Sequence, residues 1–142
     1  MKKINILILT TICIINFTNV SFAENNYFQD GKKFFEEKKY KQAKFFFEKD
    51  IVFNPKNENS YLYLAKIFKI EKKDILEESN LETTLLLNPK NEEAIYNLAL
   101  LNIKKSNFSK SKKLIDTFDK VCKNLCTSKK KLQETLDNSN KK

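Results

Sequence analysis

Apolar residues recur along this chain at the spacing of helix faces, and they do so in pairs of segments. Tyr27, Phe34 and Phe35 open the first pair, and Tyr40, Ala43, Phe47 and Ile51 continue it. Tyr61, Leu64, Ala65 and Phe68 are followed by Leu76, Leu81, Leu85 and Leu86. Ile95, Leu98, Ala99 and Leu101 are followed by Phe108, Ser111, Ile115 and Phe118. Steps of three and four residues predict amphipathic helices, with a polar break inside each pair. No stretch alternates with period two for long enough to make a strand, so the expected class is all-α.

The polar punctuation carries a second signal. The string Asn-Pro-Lys-Asn-Glu occupies residues 54–58 and again 88–92, a step of 34, and it holds both prolines of the chain. Pro55 and Pro89 cannot continue a helix, so each closes the second helix of a pair. Asn57 and Asn91 can cap the helix that follows, with Glu58, Glu92 and Glu93 placing negative charge on its positive end. A period of 34 divides the chain into units 24–57, 58–91 and 92–125. In the remainder, 126–142, Thr127-Ser128 precede one more helix carrying Leu132 and Leu136, with Lys129, Lys130 and Lys131 opposing its dipole. That helix is expected to cap the array, and the tail from Asn138 to Lys142 is expected to be disordered.

These residues resemble the tetratricopeptide repeat, whose 34-residue helix–turn–helix unit favours an early aromatic, a Leu-Gly or Leu-Ala pair, a Gly-x-Tyr-x-x-Ala turn and a late Pro. Tyr27, Gly31, Tyr40, Ala43, Phe47 and Pro55 match in the first unit. Tyr61, Leu64-Ala65, Phe68, Leu81 and Pro89 match in the second, and Ile95, Leu98-Ala99, Phe108, Ser111, Ile115 and Phe118 in the third. The second unit departs with Asp74 and Glu77 at the aromatic and Ala positions, which predicts a shifted inter-helix turn. The third ends at Lys123-Asn124 without its Pro. The resemblance implies a short right-handed solenoid of about three repeats plus a capping helix. Gly31, Ala43, Ala65, Ala99 and Ser111 are then expected at close helix crossings.

Residues 1–23 stand outside that frame. Lys2-Lys3, the apolar run from Ile4 to Ile15 and the small residues Ser21 and Ala23 predict a secretory signal cleaved between Ala23 and Glu24. An uncleaved membrane anchor is the alternative; the run is short and broken by Asn5, Thr10, Thr11 and Asn16. The expected location is exported, periplasmic or secreted, in a bacterial envelope.

Composition excludes much chemistry. Of 142 residues none is His, Arg or Trp, and Gly31 is the one glycine. A phosphate-cradling loop needs several glycines, and the usual catalytic triads and most zinc sites need His. No cofactor, metal or small-molecule substrate is expected, and no enzyme. Adjacent carboxylates at Glu36-Glu37, Glu77-Glu78 and Glu92-Glu93 point about 100° apart on a helix and read as solvated faces or caps. Cys122 and Cys126 can pair in an oxidising compartment, tying the last repeat helix to the cap; two free thiols are the alternative. Residues 104–142 carry 12 Lys against 4 acids, whereas 24–103 carry 13 against 14. That basic third is either a solvated surface or a dock for an anionic lipid or polymer. Nucleic acid is not expected, because no Arg is present for bidentate readout.

By resemblance the first helices line a concave groove that binds a peptide or helix of another protein. The groove set is Phe28, Lys32, Phe35, Leu62, Lys66, Lys69, Tyr96, Leu100 and Ile103, flanked by Asn25, Asn59 and Glu93. A clamp for a chaperone's C-terminal carboxylate is disfavoured, since Phe28 and Lys32 hold its leading positions and Glu93 would repel the charge. The expected function is a non-enzymatic scaffold or adaptor of the envelope. A peripheral binder acting through the lysine-rich third is the alternative.

Overall fold

A computed structural model describes residues 26–141; the signal segment and its cleavage site lie outside the described residues. Among the described residues seven helices follow one another: α1 Tyr27–Glu36, α2 Tyr40–Phe53, α3 Glu58–Ile70, α4 Asp74–Leu87, α5 Glu92–Lys104, α6 Phe108–Val121 and α7 Ser128–Asn140. Hairpins α1/α2, α3/α4 and α5/α6 stack in chain order through α2 on α3 and α4 on α5, and α7 lies on both α5 and α6.

Each hairpin turns through the same device. Lys38, Lys72 and Ser106 have φ of 59°, 57° and 60°. The amide that follows each one bonds back across the turn, Lys39 N–H to Phe34 O, Lys73 N–H to Phe68 O and Asn107 N–H to Asn102 O, at 2.8–2.9 Å. A left-handed residue with this bond closes the helix and satisfies its last carbonyls. The second turn is therefore in register with the other two. The shift expected from Asp74 and Glu77 does not occur, because the backbone bonds of the turn do not depend on those side chains.

The repeated string does different work in its two copies. Asp50, buried at the end of α2, accepts from Asn54 Nδ2 (3.0 Å), Asn57 Nδ2 (2.7 Å) and Ser60 Oγ (2.5 Å). In the second copy Asn88 Nδ2 donates to Glu58 Oε1 at 3.3 Å, and Asn91 Oδ1 accepts from Ala94 N–H at 3.0 Å, capping α5. Asn57 Oδ1 caps α3 in the same way, from Asn59 N–H at 3.2 Å.

The core runs the length of the stack. Ala43, Phe47, Leu64, Ile67 and Phe68 fill the first joint, and Leu62, Ala65, Leu81, Ala94, Leu98 and Leu101 the second. Ala99, Ile103 and Ile115 receive Leu132 and Leu136 from α7, so the last helix covers the end of the array. The helix continues through Asn140, which corrects the expected disorder from Asn138; a Gln133-to-Asp137 side-chain bond of 3.0 Å supports its last turns. Thr127 precedes α7 without a side-chain capping bond, so the hydroxyl that could have capped this helix does not.

The opposite end is closed by charge. Positions held by the buried pairs Leu64/Leu98 and Ile67/Leu101 in α3 and α5 are the exposed Asp30 and Lys33 in α1. A polar outer face is what a terminal repeat needs.

Candidate partner-binding surface

Three first helices, α1, α3 and α5, supply the surface. Phe28 and Phe35, one turn pair apart on α1, both meet Tyr63 of α3 edge-on, with ring centroids 5.7 and 5.1 Å away. The Lys66 ammonium stands 4.6 Å from the Tyr63 ring centre and 5.5 Å from that of Phe35. It also pairs with Glu93 of α5 at 2.9 Å. Rings attract a cation through their negative faces, so Lys66 joins the aromatic cluster of one hairpin to the carboxylate of the next. Glu93, expected to repel an incoming carboxylate, is thus already engaged. Further along, Lys69 Nζ donates to Asn97 Oδ1 at 2.8 Å.

Phe28, Lys32, Phe35, Lys66, Tyr96 and Leu100 are half-buried and Lys69 is exposed, so these seven remain on the surface. Tyr96 leans on Phe118 with centroids 6.1 Å apart, and Lys32 faces Glu36 at 4.0 Å. Leu62 and Ile103 do not line the surface. They are 4% and 5% exposed and belong to the core: Leu62 lies where the second and third hairpins meet, and Ile103 lies under the capping helix α7. Tyr63 and Asn97 take part in their place. Both stand one residue beyond expected groove positions, a displacement of about 100° around the helix that a single apolar stripe cannot resolve.

Of the three carboxylate pairs, Glu36-Glu37 is exposed as expected, whereas the other two make contacts between elements. Glu78 receives Lys105 and Lys110 from across the α4–α6 gap, and Lys110 also reaches Glu82 at 2.8 Å. The hydrogen bonds from Lys105 and then Lys110 hold the Glu78 carboxyl below its ordinary range. Glu92 accepts the backbone N–H of Leu125 (2.8 Å) and Asn124 (3.0 Å), fastening the loop before α7 onto the start of α5. Those backbone donors, Leu125 first, lower its pKa. Glu77 is buried, and burial pushes its carboxyl upward.

At the C-terminal end the Cys122 and Cys126 sulfurs are bonded, with Cα atoms 5.3 Å apart. Among the basic residues of that third, Lys104 pairs with Asp74 at 2.6 Å and Lys129 with Asp119 at 2.5 Å. Part of the lysine excess is therefore spent on joints between helices. Among the described residues no helix is long and apolar enough to cross a membrane.

No protein-family model matches the sequence, and no curated protein matches it. Solved structures do. The Yersinia enterocolitica type III secretion translocator chaperone SycD superposes with a TM-score of 0.75 at 14% identity, over 93% of this chain and 94% of that one. The first TPR of Spaghetti (RPAP3), bound to the HSP90 peptide SRMEEVD, gives 0.72 at 18% identity, over 82% and 91%. The TPR2B domain of yeast Sti1, in its pHsp70 complex, gives 0.69 at 13%, over 81% and 94%. The chain has the tetratricopeptide-repeat fold, an all-helical array of stacked hairpins.

Proposed function

We propose that this protein is a non-enzymatic interaction module that holds a peptide segment or helix of another protein against α1, α3 and α5. The observation that carries the reading is the continuous ladder Phe28–Phe35–Tyr63–Lys66–Glu93, which crosses all three first helices with its aromatic groups half-exposed. Proteins of the same fold are solved with partners in place, Spaghetti with an HSP90 peptide and Sti1 in its pHsp70 complex, which supports a protein partner here. The bound segment brings apolar anchors for the rings and a few acidic groups for Lys32 and Lys69.

The setting proposed is the bacterial envelope, as a scaffold or adaptor reached by export. Its support is the Lys2-Lys3 to Ala23 pattern together with the bonded Cys122 and Cys126, since such bonds persist in oxidising compartments. Intact mass of the native protein tests export: a chain beginning at Glu24 is expected, and a retained Met1 overturns it.

Affinity for the natural partner, identified by cross-linking in the native cells, tests the surface. Phe28→Ala and Tyr96→Ala are each expected to weaken binding by ~1–3 kcal/mol. Both side chains also touch the core, so the exposed Lys69→Ala is measured beside them, with a thermal melt of every variant. Full affinity in all three sinks the reading. Binding that instead collapses with salt, through a Debye length of ~10 Å at 0.1 M, shifts the site to the lysine-rich third and an anionic partner.

A further inference from the structure

The fourth residue of each second helix is Ala43, Glu77 and Ser111, and all three are buried. Ala43 simply fills space, and Ser111 donates to Ala99 O at 3.1 Å. Glu77 is 3% exposed, yet its carboxylate has no hydrogen-bond or ion-pair partner among the described residues. Packing does not require a carboxylate at a position that alanine and serine fill in the neighbouring hairpins. An ionised, unpaired carboxylate in such a place is costly unless something comes to it.

The carboxylate is not sealed in. It lines a cavity of about 170 Å³ together with Lys69, Leu100, Leu101 and Lys104. Lys69 and Leu100 belong to the binding surface, so the cavity opens from that surface at the joint of α3, α4 and α5. Both ammonium groups are engaged elsewhere: Lys104 pairs with Asp74 at 2.6 Å, and Lys69 donates to Asn97 at 2.8 Å. Glu77 thus makes no direct ion pair at this joint, Lys69 and Lys104 acting on it only through space, and Leu100 and Leu101 supply the apolar part of the cavity lining.

We infer that the Glu77 cavity is a subsite for one cationic side chain, a lysine or arginine of the bound segment. Its methylene stem lies along Leu100 and Leu101, and its ammonium or guanidinium donates to the Glu77 carboxylate. An ion pair with additional apolar cover suits a long basic side chain, whose stem buries while its head keeps a partner. Lys69, exposed and tethered by a neutral amide, moves outward on its own four-carbon stem to admit the charge. This subsite rests on the proposed binding surface and adds a basic anchor to the apolar and acidic features that surface already selects.

n-Butylammonium reproduces the tip of a lysine and is the probe. Titrated into ¹⁵N-labelled protein, it is expected to give saturable shifts at the amides of Glu77, Leu100 and Leu101, in the millimolar range that so small a ligand can reach. n-Butanol and butyrate are expected to give none. Glu77→Gln and Glu77→Ser should lose the saturable shifts; serine already stands at the equivalent Ser111, so the second variant keeps the fold. Three results overturn the subsite: no saturation by butylammonium, the same saturation in both variants, or saturation by butyrate, which would mean that Lys69 and Lys104 govern the cavity. The probe reports the cavity alone, so its failure is distinct from full partner affinity in the Phe28, Lys69 and Tyr96 variants.

Discussion

The Phe47 ring occupies the space in which a side chain on Gly31 would begin. A Cβ built on Gly31 would lie 2.7 Å from both Cδ1 and Cε1 of Phe47. The same crossing in the next hairpins pairs Ala65 with Leu81 and Ala99 with Ile115. The largest partner faces the smallest residue, and a methyl group returns where the ring is gone.

That reciprocity makes a double-mutant cycle informative. Gly31→Ala gains roughly 0.5–1 kcal/mol of helix propensity but overpacks the crossing, at ~1–3 kcal/mol. A net loss is expected in the parent. With Phe47→Leu in the same chain, the alanine should be tolerated or favoured, with a coupling on the order of 1 kcal/mol. Denaturant melts of the four proteins measure it, and strict additivity would sink the account of the crossing.

The three turn residues offer a gain in stability. Lys38, Lys72 and Ser106 hold left-handed conformations that cost an L-residue roughly 1–2 kcal/mol relative to the right-handed region. Lys72→Gly and Ser106→Gly should raise the unfolding free energy, after the extra chain entropy of glycine is deducted, by up to about 1 kcal/mol, read as a higher melting midpoint. Lys72→Val should lower it. The same ordering at Lys38 is expected, since its turn bonds are the same.

Glu77 predicts a pH signature. Burial holds its carboxyl above the ordinary 4.5, Lys69 of α3 and Lys104 of α5 draw it down, and Asp74 of its own helix adds to the rise. An acid whose pKa rises on folding penalises the native state at neutral pH. The penalty fades as pH falls through the raised value and is gone below 4.5. Glu77→Gln should therefore melt above the parent at pH 7, with the gap closing on acidification. Glu78 runs the other way, contributing stability above 4.5 that is lost as pH falls through its lowered value, but it does so equally in both proteins. An equal melting gap at pH 7 and pH 4 would count against a buried charge.

Two of the attachments that hold the capping helix, its apolar packing and the disulfide, differ in strength. Leu132, fully buried among Ala99, Ile103 and Ile115, should cost ~2–5 kcal/mol on truncation to alanine. The Cys122–Cys126 bond closes a short loop, for which chain entropy gives only ~2 kcal/mol. Reduction is expected to lower the melting temperature without releasing α7, whereas Leu132→Ala should release it. Amide exchange along residues 128–140 reads both. Alkylation of the unreduced protein should label neither Cys122 nor Cys126.

The register of the hairpins was legible because prolines, capping asparagines and small crossing residues fall on one period, and each constrains the backbone directly. The inward face of α4 was not. An apolar stripe puts Leu76 and Leu86 inside, but they are 44% and 81% exposed, while Glu77 and Thr84 are buried beside Leu81. Hydrophobicity misleads wherever a polar side chain is placed inside for a reason other than packing. Which residues of the first helices stay at the surface was legible for the aromatic and lysine members on α1 and for Lys66 and Lys69. Leu62 and Ile103 are the exceptions, since their burial depends on how closely the next hairpin and the capping helix approach, a quantity absent from any one helix.

Asp50 makes the joints non-interchangeable. Its carboxylate is satisfied by Asn54, Asn57 and, from the following hairpin, Ser60. At the next joint the corresponding residues are Thr84 and Ala94, and Thr84 bonds the Asn80 carbonyl at 2.9 Å. A chain permuted to place the third hairpin directly after the first would set Asp50 against Ala94, burying a charge that lacks its hydroxyl donor. Although the hairpins share a backbone, the first carries at its trailing edge the address of the one that must come next.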